Sequence, residues 1–170
     1  MTNRQDPETL FAAEVAARLP EIGLRNECGE DTPFLITLHV ACSPLVGTLP
    51  TVMIEQQARF QGQGYHTDFP SASRWIVLRQ EEPIGRIMVD WTVEGVSHCV
   101  DLALLPAEQG AGMGTRLLQS WIAVSDQLGR SAYLQVLSNH GAQGAYGRLG
   151  FVAIGNSDQP SITMVRPVGG

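Results

Sequence analysis

The residues best placed to do chemistry are Gln109-Gly110-Ala111-Gly112-Met113-Gly114. Three glycines alternate where an apolar run, Val100 to Leu105, gives way to a helical pattern beginning near Thr115. Glycine lacks the Cβ that would keep a ligand away from the backbone. A helix starting there turns its free N–H groups and the positive end of its dipole toward the same point. Such a loop holds a phosphate without a metal ion, and three readings compete for it. The triphosphate loop GxxxxGK[ST] needs a lysine for the outer phosphates, and the sequence contains none. That excludes it. The dinucleotide loop needs GxGxxG in a first strand-to-helix turn and an acidic residue about 20 positions on. Here the spacing is GxGxG, with Thr115 in the third-glycine position, which weakens that reading. A tight turn that binds nothing accounts for the glycines equally well.

Composition narrows the field. At 170 residues, with 44% hydrophobic and 16% charged residues, the chain is long enough to bury a core. We read residues 1–170 as one domain, with 1–20 as an extra N-terminal helical segment. Net charge is −6, and every formally basic residue is arginine. The arginines form no cluster of the kind a nucleic-acid groove needs, so no nucleic-acid partner is expected. Cys28, Cys42 and Cys99 are odd in number and lack CxxC spacing, which argues for a reducing compartment and against disulfides or a metal site. The opening MTNRQDPETL has no basic-then-apolar leader. No apolar run approaches the roughly 20 residues of a membrane span. The expectation is a soluble, cytoplasmic protein with no membrane partner.

The elements that must carry the loop follow from periodicity. Pro7 to Leu19 reads as a helix, Ile22 to Arg25 as a strand, and Asp31-Thr32-Pro33 as a helix start. A second helix covers Thr51 to Phe60 and ends in Gln61-Gly62-Gln63-Gly64, leaving Tyr65, His66 and Asp68 in a loop. Arg74–Leu78, Ile84–Trp91 and Val96–Leu105 read as an antiparallel meander, with a turn at Glu81-Glu82-Pro83. After the glycine loop come a helix stopped by Gly129, a strand Tyr133–Leu137, a short helix Gly141–Leu149, and strands Phe151–Ile154 and Ile162–Val165. The fold class is α+β, a mixed α/β sheet: a meander followed by βαβαββ. Strand alternation puts Asp101 on one face with Cys99 and Ala103, and His98 on the other with Val100 and Leu102.

A second motif lies one strand downstream of the loop: Asn139, Ala142, Tyr146, Gly150 and Phe151 in the string NHGAQGAYGRLGF. Together with Leu104-Leu105-Pro106 and Gln109 to Gly114, it resembles the GNAT superfamily of N-acetyltransferases. Ala145 stands where the family usually has leucine. The likeness runs well from about Arg74 to the C-terminus and is thin before it.

The resemblance implies a GNAT-type fold with splayed central strands, here Val96–Leu105 and Tyr133–Leu137. It implies acetyl-CoA as co-substrate, without a metal. The pantetheine arm would lie along Leu104, Leu105 and Pro106. The diphosphate would sit on the N–H groups of Gly110, Ala111, Gly112, Met113, Gly114 and Thr115, with Gln109 closing the loop where many relatives use arginine. Asn139, within the motif that includes Ala142, would bond the pantetheine or the strand end. Tyr146 would protonate the leaving thiolate. A backbone N–H near Leu104 would meet the oxyanion. Asp101 is the first candidate base, ahead of His98, Asp90 and Glu94. Arg116 and Arg148 are candidates for the 3′-phosphate. Trp75 and Trp91 read as core or as acceptor-cleft walls. The implied acceptor is a small-molecule or peptide amine, and a homodimer is a common state among relatives. A non-catalytic acyl-CoA-binding domain of the same fold, and a dinucleotide-binding domain, are the alternatives.

Overall fold

The computed structural model describes residues 6–138, 143–155 and 158–170. In chain order the elements are α1 (Pro7–Arg18), β1 (Gly23–Asn26), α2 (Thr32–Cys42), α3 (Thr51–Asp68), β2 (Ser73–Arg79), β3 (Glu82–Asp90), β4 (Val96–Leu104), α4 (Met113–Gln127), β5 (Ser131–Leu137), α5 (Gln143–Arg148), β6 (Val152–Ile154) and β7 (Ser161–Arg166). The strands form a seven-stranded sheet in the order β1-β2-β3-β4-β5-β7-β6. Every neighbouring pair is antiparallel except β4 and β5, which run parallel. This is the mixed sheet the meander-then-βαβαββ order predicts.

One face of the sheet carries the core. Trp75, Val77, Ile87, Val89, Cys99 and Leu134 point to it and meet α1 and α4. Both helices have the apolar spacing for this: Phe11 and Val15 on α1, Leu117, Trp121 and Val124 on α4, all essentially inaccessible. Phe11 packs on Trp75 with ring centroids 4.8 Å apart. Trp75 and Trp91 both belong to this core. The opposite face, which carries Arg74, Arg86, Met88, His98, Asp101 and Tyr133 by register, is approached by α2 and α3.

Four local readings are corrected. The glycines at 62 and 64 do not stop a helix; α3 continues to Asp68. Its end is held instead by Arg74, whose guanidinium donates to the carbonyls of Tyr65 (3.0 Å) and Phe69 (2.7 Å), so tertiary capping overrides the weak helix propensity of glycine. Tyr65 is therefore a helical residue on the cleft side, not part of a loop. The β2–β3 turn centres on Gln80 and Glu81, both at positive φ (49° and 67°), one step before the predicted turn. Asp31 does stand at the N-cap of α2, but its side chain makes no cap bond to the helix. Its carboxylate accepts from Cys28 N at 2.8 Å and from both terminal nitrogens of Arg25 at 2.9 and 2.7 Å.

The fourth correction concerns faces. The β3–β4 register steps between Met88↔Asp101 and Val89↔Cys99, so Val100 is an extra residue in β4. Such a bulge shifts everything beyond it to the opposite face. Asp101 thus shares its face with His98 and Ala103, and Cys99 shares the core face with Leu102 and Leu104.

Two outcomes follow. Gly85 sits opposite Leu104, and a Cβ there would lie 2.5 Å from the Ala103 carbonyl oxygen and 2.6 Å from Leu104 Cδ2. Gly85→Ala is expected to lower unfolding free energy by about 1–3 kcal/mol, read by denaturant titration. The Arg25 hydrogen bonds hold the Asp31 carboxyl down at about 2. A depressed carboxylate stabilises the fold above its ordinary value and loses that contribution as pH falls through the folded value. The advantage of the native protein over Asp31→Asn should therefore be full at neutral pH and vanish as pH drops through about 2.

Candidate active site between the parted strands

The parallel ladder of β4 and β5 is short. It pairs Val96↔Ser131 through Cys99↔Leu134 and goes no further among the described residues. Beyond it β4 stays with β3 and β5 stays with β7, so the two strands part. The backbone direction on the β4 side follows from one bond. Leu105 N donates to Ile84 O at 2.8 Å, so Leu105, Ala103 and Asp101 turn their peptide groups to β3 by alternation along an antiparallel pair. Leu102 and Leu104 therefore turn theirs toward the gap. The Leu104 carbonyl is already filled, accepting from Gln109 Nε2 at 2.8 Å and Cys42 Sγ at 3.2 Å. Leu104 N–H and both peptide groups of Leu102 face the opening, and backbone groups in such a place need partners.

The loop that follows begins with a 3-10 turn, Pro106–Glu108. Gly110 (φ +86°) and Gly112 (φ +81°) then hold left-handed conformations that favour glycine. Gly112 is the N-cap of α4 and offers no side chain to it. The N–H groups of the helix's first turn are thus left for another acceptor. Ala111 and Thr115 are exposed there, while Met113 is buried.

Two cavities meet at the gap. A small one, about 130 Å³, is bounded by Cys99, Asp101, Leu102, Leu118, Gln135 and Tyr146. A large cleft of about 1180 Å³ opens between the sheet and α2–α3, and shares Asp101, Leu102, Gln135 and Tyr146 with the first. The parted strands therefore join the two sides of the sheet. Burial, with the nearby Cys99 thiol, raises the Tyr146 pKa, so its phenol holds its proton. Burial likewise keeps Cys99 a thiol.

Arg86 organises the cleft floor. Its Nε and Nη2 donate to Asp101 Oδ2 at 2.9 and 2.7 Å. Its Nη1 stands 3.6 Å from Glu27 Oε2. Its guanidinium lies 5.0 Å from the centroid of the Tyr65 ring. Burial disfavours the Arg86 cation, but the Asp101 charge and hydrogen bonds outweigh that and raise its pKa. Burial raises the Tyr65 phenol too, and Asp101 adds to it. Arg86 and Glu27 were absent from the sequence-based site, and Tyr65 was read as a loop residue. Their signal is tertiary, since each comes from a different element.

The remaining predicted residues scatter. His98 is buried, stacked on Tyr133 at 4.0 Å, and burial lowers its pKa. Asp90 accepts from Thr92 N and Oγ1 in the β3–β4 turn, and Glu94 is exposed in that turn. Arg116 reaches Glu21 at 2.8 Å and the Arg18 carbonyl, tying α4 to the end of α1. Arg148, His66 and Asp68 are exposed. Asn139 and Ala142 lie outside the described residues. The described residues contain no group of three or more His, Cys, Asp or Glu arranged to hold a metal ion, and no helix long and apolar enough to cross a membrane.

A mixed sheet parted at its centre, with a glycine loop and helix N-terminus at the parting, is the architecture of an acyltransferase fold. Residues 38–151 match the Acetyltransferase (GNAT) family, and the chain belongs to that family. Solved structures share the fold. The paiA N-acetyltransferase of Thermoplasma acidophilum, in complex with coenzyme A, superposes with a TM-score of 0.66 at 17% identity, covering 86% of this chain and 98% of that one. An acetyltransferase from Thermus thermophilus gives 0.64 at 20% identity, covering 86% and 96%. The ribosomal-protein-S18-alanine N-acetyltransferase of Escherichia coli gives 0.62 at 16% identity, covering 86% and 94%. No curated protein sequence matches the chain.

Removing Arg86 would leave Asp101 and Glu27 close together without their cation. Arg86→Met is expected to cost about 3–5 kcal/mol of stability in denaturant titration. Adding Asp101→Asn should recover part of that loss, since the coupled pair is then no longer broken at one end.

Proposed function

We propose that this protein is an acetyl-CoA-dependent N-acetyltransferase that acetylates a primary amine by direct attack on the thioester. The observation that carries the reading is the gap beyond Cys99↔Leu134, with unpaired peptide groups on one wall and a free helix N-terminus at its end. The residues fit such a co-substrate. Leu104 N–H and the Leu102 carbonyl are placed to hold pantetheine amides. The N–H groups from Gly110 to Thr115 are placed to hold a diphosphate. Leu105 and Pro106 turn the chain from strand to loop, and Gln109 pins that turn to Leu104.

In the reaction the amine nitrogen bonds the acetyl carbon, the carbon–sulfur bond breaks, and coenzyme A leaves. Leu102 N–H, which opens on both cavities, stabilises the oxyanion. Tyr146 gives its phenolic proton to the thiolate and regains one from solvent. The ammonium proton leaves through water to Asp101 Oδ1, since both Arg86 bonds fall on Oδ2. The acceptor comes from the large cleft, because the small cavity lies on its far side.

Tyr146→Phe is expected to cut kcat about 100-fold while leaving KM for acetyl-CoA little changed, measured by thiol release. Acetyl-CoA should also raise the melting temperature of both proteins. No thermal shift at millimolar acetyl-CoA would sink the reading. A clear shift with no thiol release from any amine would make the protein a binder.

A further inference from the structure

The large cleft holds a carboxylate that the reaction does not use. Glu27 follows β1, its side chain is 7% exposed, and its Oε2 is buried with no hydrogen-bond donor in reach. A buried carboxylate oxygen without a donor is costly. Arg86 is its nearest cation, but that guanidinium makes its short bonds to Asp101 and stands 3.6 Å from Glu27. One cation thus serves two carboxylates, and the floor carries a net negative charge.

Among the other charged groups lining the cleft, Arg74 and Glu8 carry opposite charges that offset each other, and the remaining cation, Arg59, is exposed to solvent. Arg74 donates to the carbonyls of Tyr65, Phe69 and Ala72. Arg25 is paired with Asp31, Glu8 accepts from Ser73 Oγ at 2.6 Å, and Arg59 is exposed on α3. Because Asp101 and Glu27 hold Arg86 from both ends, it is not free to bind a carboxylate on an acceptor. The usual way to recognise an amino acid's carboxylate, a free guanidinium fork, is therefore closed at this floor. An ammonium or guanidinium group would give Glu27 Oε2 the donor it lacks.

Resting on the N-acetyltransferase reading, we infer that the acceptor carries a second cation, received by Glu27 while the reacting amine sits near Asp101. The substrate class is a diamine. The two carboxylates are no further apart than one guanidinium can bridge, so a short apolar spacer between the amines suits the floor. Ala103, which lies on the cleft face beside Asp101, provides apolar contact for it. Glu27 is a specificity-determining residue, not a catalytic one.

Three matched amines test this: butane diamine, butylamine, and aminobutyrate, which puts a carboxylate where the diamine has its second ammonium. Thiol release should show kcat/KM for the diamine at least about tenfold above that for butylamine, with aminobutyrate the poorest. Glu27→Gln should erase the diamine preference through KM while leaving butylamine turnover and the acetyl-CoA thermal shift unchanged. Calorimetry of butane diamine on the CoA-loaded protein should show binding that weakens by the same factor in Glu27→Gln. Equal kcat/KM for diamine and butylamine, or a preference that survives Glu27→Gln, would overturn the inference and leave the acetyltransferase reading standing. If no amine releases thiol, the calorimetry still decides the role of Glu27, and the loss falls on the reading beneath it.

Discussion

The constraint on which the site depends is the length of one ladder. β4 and β5 are the only parallel neighbours among the described strands, and they stay paired for four residues before each follows its antiparallel partner. Parallel pairing needs a crossover, supplied here by α4, and gains slightly less per residue than antiparallel pairing. The parting leaves the Leu102 peptide groups and the Leu104 N–H facing the gap. It also joins the two faces of the sheet, so the small cavity and the α2–α3 cleft share lining residues. Without the parting, Asp101, Leu102, Gln135 and Tyr146 would line no common space.

Three local features keep that geometry. The extra residue at Val100 reverses the faces of β4 past Cys99, which turns Asp101 toward the cleft and Cys99 toward the core. Gly85 then lets β3 approach Leu104 more closely than any side chain would allow. The far end of β4 is secured by Gln109, whose amide closes on the Leu104 carbonyl. Bulge, glycine and amide together set where the strand ends and where the glycine loop begins.

The cleft floor follows a different logic. Arg86 is 9% exposed in its side chain and pairs with two carboxylates. Burying three charges is favourable only when they compensate one another closely. Asp101 meets that condition with two bonds under 3 Å, whereas Glu27 does not. The imbalance leaves the cleft floor with one carboxylate more than its guanidinium closely compensates.

The fold class and the glycine loop at the start of α4 were legible in the residues themselves. Alternating glycines before an amphipathic helix, and Tyr146 ahead of Gly150-Phe151, are local patterns, and local backbone demands such as positive φ or a helix N-terminus write themselves into neighbouring residues. The large cleft was not legible. Tyr65 looked like a loop residue because Gly62 and Gly64 are poor helix formers, and the arginine that caps its helix lies on the next strand. Asp101 was placed with Cys99 because alternation cannot foresee a bulge. Glu27, Tyr65 and Arg86 come from three separate elements, and only sheet register and the packing of α3 bring them together. What the sequence by itself determined is the class of fold and the glycine loop ahead of α4, because both rest on short-range periodicity. The shape and charge of the large cleft were decided by tertiary structure, because they depend on which distant residues the register sets face to face.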